Sequence, residues 1–136
     1  TYLIEGMILS TTGNVKKLAI IDTIVECNIC NTIMDKRVYG VYAGSELVGN
    51  DNIYYCASVG EGCILVTDYN GELENGDYIC SSPIAGYGQK QNDDLLHNYT
   101  VAKITEVIDW DNITQFIIYS GKSYKCALVS CSYHCG

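Results

Sequence analysis

Short β-branched and Tyr-rich runs, each broken by Gly, Asn or Asp, recur along the whole chain, and no apolar pattern at i, i+3, i+4 and i+7 persists over three helical turns. The pattern predicts a mainly β protein. Candidate strands are residues 6–10, 18–21, 38–43, 53–59, 63–67, 78–81, 101–107, 115–119 and 125–130. The segments between them use "TTGN", "GNDN", "GEG", "NG" and "SGKS", residues that accept positive φ or close a turn with a side-chain hydrogen bond. Only "NDDLLHN", residues 92–98, reads as a short helical turn, with Asn92 or Asp93 capping free amides and Leu95 and Leu96 pointing inward. Close strand spacing with short connections predicts a compact β-barrel or sandwich, with an antiparallel meander from Val101 to Ser130 and at most short helical turns.

The stretch "NGELENGDYICSSPIAGYGQKQ", residues 70–91, is the densest in turn chemistry. Asp68, Asn70, Glu72 and Glu74 alternate, so in an extended strand they share one acidic face. An EF-hand loop needs Gly at its sixth position, which here is Leu73, so a solvated acidic strand is expected instead. "GYGQKQ" lacks the spaced Gly or Gly-Lys-Ser pattern that cradles phosphate at a helix start. What is left is a β corner: Gly71, Gly76 and Asp77 turn the chain, Pro83 ends strand pairing, and Gly86 and Gly88 fold it back around Tyr87. Gly76, Gly86 and Gly88 are expected to hold backbone angles that a Cβ would penalise.

Soft ligands cluster at Cys27-x-x-Cys30 and in the tail at Cys131, His134 and Cys135. Together they could form a tetrahedral zinc site, disulfides, or a set of free buried thiols. The tail spacing is looser than that of a zinc ribbon, and no metal or other cofactor is assigned. His97 and His134 are the only candidates for a neutral-pH base, and neither lies in a catalytic motif. Thr1, if it is a true N-terminus, could serve as an amino-terminal nucleophile.

The chain has 136 residues, enough for one domain spanning residues 1–136 with its own core. Eight Lys plus Arg against sixteen Asp plus Glu give a formal charge of -8, which repels phosphate backbones and anionic lipid. Nucleic acid and membrane are therefore excluded as expected partners, and no apolar run approaches the roughly 20 residues of a spanning helix. Twelve Tyr beside one Phe and one Trp suit either strand faces or an interface. Beginning at Thr1 without Met, the chain is expected to be a C-terminal piece of something longer.

"DKRVYGV", followed by "NGELENGDYICSSPIAGYGQKQNDDLLHNYTVAKITEV" and "YKCALVSCSYHCG", resembles the C-terminal module of fibre and appendage proteins in large DNA viruses. That module is in turn similar to the autoproteolytic intramolecular-chaperone domain of phage neck appendages and tail fibres. The resemblance covers residues 35–136, and its best marker is the Gly-Asp, Ser-Pro, Gly-Tyr-Gly order. It implies a virion-surface or extracellular β domain at the end of a fibre, self-associated as a homotrimer and joined to an upstream fibre segment. In some members such a domain is released by self-cleavage at its N-terminal boundary, but no catalytic motif carries over residue by residue. The rival expectations are a single-turnover autoprotease and an attachment tip that binds a host-surface glycan.

Overall fold

The computed structural model describes residues 2–136 and is built almost wholly from strands: β1 (Ile8–Ala19), β2 (Asp22–Ile29), β3 (Val38–Val48), β4 (Asp51–Ala57), β5 (Val59–Thr67), β6 (Tyr78–Ser81), β7 (Gly88–Lys90), β8 (Thr100–Ile104), β9 (Phe116–Tyr119) and β10 (Lys122–His134), with one 3-10 turn at Trp110–Asn112. Two sheets pack together. The first has the order β2-β1-β3-β4 and is antiparallel throughout. The second has the order β5-β7-β6-β8-β10-β9, and because β10 also pairs with β5 it closes on itself. Closure pairs β5, β6, β7 and β8 on both sides and leaves β9 as an edge strand of this sheet, as β2 and β4 are of the first. The expected mainly β fold is thus observed, with two packed sheets of which one is barrel-like.

β10 is long enough to serve two neighbours in succession: Lys122–Lys125 pair with β9, and Cys126–His134 pair with β5. The C-terminal strands are antiparallel, in the order β8-β10-β9 rather than in sequence order. Ser120 and Gly121 join β9 to β10, both at positive φ, as a two-residue hairpin demands.

The core is formed where the sheets meet. Ile8, Cys30 and Val41 from the first sheet pack with Ile64, Val66, Ile79, Val101, Ile104, Val129 and Cys131 from the second. β5 reads "CILVT" without apolar alternation because both its faces are covered: Ile64 and Val66 face the core, and Leu65 on the other face packs at Gly6, where a Cβ would stand 3.1 Å from its Cγ.

Several expected turns and strands take other forms. "TTGN" does not reverse the chain; it is a bulge inside β1, with Gly13 at φ +95° and a register shift between Thr11 and Val15. Residues 18–21, read as a strand, are the end of β1 and the tip of a hairpin. The acidic face expected over residues 68–74 does not form because β5 ends at Thr67. There Asp68 accepts the Lys125 amide at 3.0 Å, and the Asn70 side chain donates to the Lys90 carbonyl at 2.7 Å. Residues 92–98 form bends, not a helical turn. Asp93 does receive the Leu95 amide at 3.1 Å, but Leu95 and Leu96 lie exposed instead of inward, because Gln91 donates from Nε2 to the Leu95 carbonyl and holds the loop outside the core.

Candidate self-association surface

The outer half of the first sheet projects beyond the core. Along β1 the side chains are buried from Ile8 to Ser10 and exposed from Gly13 onward, with no alternation. In a strand, alternation disappears in this direction only when neither face is covered. The sequence there is nevertheless aliphatic. Val15, Leu18, Ile24, Leu47, Val48, Ile53, Tyr54 and Tyr55 are all at least 40 % exposed, and the β1–β2 hairpin turns on Ile20 and Ile21, which are fully exposed at 101 % and 97 %. Hairpin turns usually carry Gly, Asn or Asp, so two isoleucines at a tip are there for a reason other than the turn.

Local bonding holds this arm in shape. The Glu26 carboxylate accepts Thr12 Oγ1 at 2.6 Å and Asn14 Nδ2 at 2.9 Å, fastening both sides of the Gly13 bulge, and these bonds hold its carboxyl below the usual range. On β3–β4, Tyr55 donates its hydroxyl to Glu46, and the Tyr54 ring lies 6.3 Å from that of Tyr42. Lys16 stands opposite Ile24 and Lys17 opposite Thr23, so the two lysines lie on opposite faces of the hairpin.

The β-corner residues lie away from this arm, in the β5–β6 and β6–β7 connections of the second sheet. Gly71 closes a turn on Asp68, with its amide 2.9 Å from that carbonyl and φ +106°. Asp77 closes the next, its amide reaching the Glu74 carbonyl at 3.0 Å and its carboxylate accepting the Glu74 amide at 2.9 Å, with Gly76 at φ +95° between them. After Pro83, the Tyr87 amide bonds the Ile84 carbonyl at 3.0 Å with Gly86 at φ +85°, and Ser82 Oγ donates to the Tyr87 carbonyl at 2.6 Å. The Gly86 amide donates to the Cys30 carbonyl at 2.7 Å and its carbonyl accepts from Ile8 at 2.9 Å, so this one residue ties the corner to the start of β1 and the end of β2, which lie side by side. Gly88 departs from expectation: it lies in β7 without positive φ, and Gly is needed because a Cβ would strike Ile79 Cγ2.

A second tie was not foreseen from sequence. Ser81 Oγ accepts the Asp35 amide at 2.9 Å and donates to the Thr32 carbonyl at 2.7 Å, while Arg37 grips buried Asp35 through Nε at 3.0 Å and a terminal nitrogen at 2.9 Å. Burial pushes the Asp35 carboxyl up, but the Arg37 hydrogen bonds and charge outweigh it and leave it below the usual carboxylate range.

The cysteines and histidines do not assemble into one site. Cys27 and Cys30 are three positions apart on extended chain, which sends their side chains to opposite faces. Cys30 Sγ donates toward Asp35 at 3.5 Å, whereas Cys27 lies on the edge strand β2. Cys131 is in the core, Cys135 Sγ points to the Val101 carbonyl at 3.7 Å, and His134 stands edge-on to Tyr78 with ring centroids 5.8 Å apart. All eight cysteines are free thiols, and among the described residues no three His, Cys, Asp or Glu are placed to share a metal ion.

Burial pushes Cys56 and Cys131 up to about 12, and Cys80 and Cys135 up to about 11. These neutral thiols therefore contribute stability in full below the unfolded value of about 8.5, and the contribution is lost as pH rises from there through 11 and 12. In reducing buffer the denaturant midpoint is expected to fall steadily between pH 8 and pH 10, and exposed Cys63 to react first with a thiol reagent at pH 8. An unchanged midpoint at pH 10, or Cys56 reacting as fast as Cys63, would contradict this.

His97 Nε2 lies 2.9 Å from Asp93 and its ring stacks on Tyr99, with centroids 4.6 Å apart. Among the described residues no hydroxyl or thiol bonds to that ring, so the Asp-His pair has no aligned nucleophile. Thr1, the other catalytic candidate, lies outside the described residues. No family model, curated protein or solved structure matches the chain.

Proposed function

We propose that the chain is a virion-associated structural and assembly module, a homotrimer capping a fibre protein and bringing three chain ends together while upstream segments fold. The observation that carries the self-association is the projecting sheet with its exposed aliphatic side chains. Burying one such side chain contributes about 1.5–3 kcal/mol, equivalent to roughly 60–120 Å² at about 25 cal/mol per Å². Ten of them, on average more than half exposed, supply roughly 400–700 Å². That is most of the ~800 Å² per partner of a standard interface. The resemblance over residues 35–136 supplies the fibre context and the number three. Holding three ends close raises their effective concentration to the millimolar range, so that nucleation of an upstream trimeric segment becomes intramolecular. The acidic remainder of the surface keeps the assembly soluble.

Light scattering at tens of micromolar protein tests the proposal. The expected mass is three times the 15.0 kDa chain, and a monomer at that concentration overturns it.

A further inference from the structure

The arm has a counterpart elsewhere on the same chain. A cleft of about 440 Å³ opens between the loop carrying Glu72 and Glu74 and the segment carrying Val107, Ile108 and Trp110. Its mouth is acidic and its wall aliphatic. Val107 is 83 % exposed and Trp110 only 6 %, so the indole forms a rigid floor under an uncovered aliphatic side chain. Trp110 is fixed there by its Nε1, which donates to the Leu73 carbonyl at 2.7 Å. Neither Glu72 nor Glu74 takes part in an ion pair among the described residues; the ion pairs present join Arg37 to Asp35, Lys90 to Asp77 and His97 to Asp93.

The β1–β2 tip has the opposite charge and the same apolar character. In a chain with only eight Lys and Arg, two of them, Lys16 and Lys17, are adjacent on this hairpin, and neither is ion-paired within the described chain. They precede Leu18, Ile20 and Ile21 on the strand that leads to the tip. The cleft equals on the order of fifteen water volumes at ~30 Å³ each, room for two aliphatic side chains. The full exposure of Ile20 and Ile21 shows that a chain does not place its own tip in its own cleft.

We infer that the β1–β2 tip of one copy seats in the Glu72–Trp110 cleft of the next, with Ile20 and Ile21 against Val107 and Ile108 and with the lysine on the hairpin face turned to the Glu72–Glu74 loop paired to those carboxylates. This deepens the trimer proposal and rests on it. The contact is heterologous, joining a tip to a different surface, and such a contact forms a closed ring when its rotation allows. Three copies in a ring use every tip and every cleft once. The contact also places a lysine at carboxylates in a molecule whose overall charge repels its own copies, so it selects one orientation out of many.

Charge exchange tests the pairing. The native chain, Lys16→Glu/Lys17→Glu, Glu72→Lys/Glu74→Lys and the chain with all four changes are compared by sedimentation across a concentration series, with circular dichroism to verify folding. The altered side chains are exposed, so each variant is expected to fold. Each double reversal is expected to weaken association at least tenfold, and the fourfold exchange to recover most of that loss. Ile20→Asp/Ile21→Asp is expected to be monomeric at the same concentrations. A native trimer that all three charge variants preserve overturns the pairing and leaves the trimer standing. So does a trimer dissolved by the Ile variant but not by reversal at Glu72 and Glu74, because the tip then meets another surface. A native monomer overturns the trimer proposal itself.

Discussion

Trp110→Ala is expected to destabilise the fold by about 3–5 kcal/mol, the range for removing a buried Trp, where lost transfer energy and a residual cavity add. The indole is 6 % exposed and belongs to the core cluster, although its backbone is in a three-residue 3-10 turn outside both sheets. Two further bonds depend on its position. Its Nε1 satisfies the buried Leu73 carbonyl at 2.7 Å, and its own carbonyl accepts Lys125 Nζ at 2.7 Å, tying the turn to the start of β10. Trp110→Phe keeps most of the ring and loses the Leu73 bond, so a smaller cost of about 1–3 kcal/mol is expected. Urea midpoints followed by circular dichroism, at constant m-value, separate the two. Equal midpoints for the native chain and Trp110→Ala would mean that the indole does not support the core.

The second large effect is expected in the corner. Gly86→Ala meets two obstacles together: φ +85° is strained for any residue with a Cβ, and the new atom lies 2.7 Å from Met7 Cγ and 2.9 Å from its sulfur. Met can turn aside, but the backbone cannot, because the Gly86 amide and carbonyl are bonded to Cys30 and Ile8. A loss of about 2–3 kcal/mol is expected, the sum of the positive-φ and overpacking terms. Gly88→Ala has no φ strain but presses on β-branched Ile79, which is stiff about χ1, and about 1–3 kcal/mol is expected. Gly76→Ala is the control. Its φ is +95° with nothing within 4 Å of the new Cβ, so only the backbone term of about 1 kcal/mol applies. The expected midpoint order is native, then Gly76→Ala, with Gly86→Ala lowest; Gly86→Ala unfolding with or above Gly76→Ala would remove the crowding argument.

How much of this architecture could be read from residue order varied with the range of the forces involved. Tyr78–Ser81 forms the strand expected for it, and Ser120–Gly121 and Gly76 turn the chain as their residue types require. These depend on one residue's own backbone preference. The β2 strand was not foreseen, since "DTIVECNI" follows directly on a tip with no Gly, Asn or Pro to mark it. β7 was missed for the opposite reason: "GQK" has no strand propensity of its own and becomes a strand because β6 pairs with it from Ser81 to Ile79. The candidate contact surface was partly legible in the same uneven way. Apolar Leu18–Ile21 was seen, but exposure cannot be read from hydrophobicity.

What the sequence by itself determined is the β class, several of the tight turns and the acidic charge, all set by properties of neighbouring residues. Tertiary structure decided the rest. Whether "TTGN" reverses the chain or bulges within β1 depends on β2 being there to pair on both sides of Gly13. Whether Cys27 and Cys30 converge depends on their lying in extended chain, which turns them apart. The second sheet closes because residues more than fifty apart, Ala127 with Val66 and Leu128 with Leu65, meet in register. Closure and packing then cover the apolar side chains of one half of the first sheet and leave those of the other half in water. Hydrophobic burial has no direction along the chain, so identical Ile residues become core at Ile8 and exposed tip at Ile20 solely through what the fold places over them.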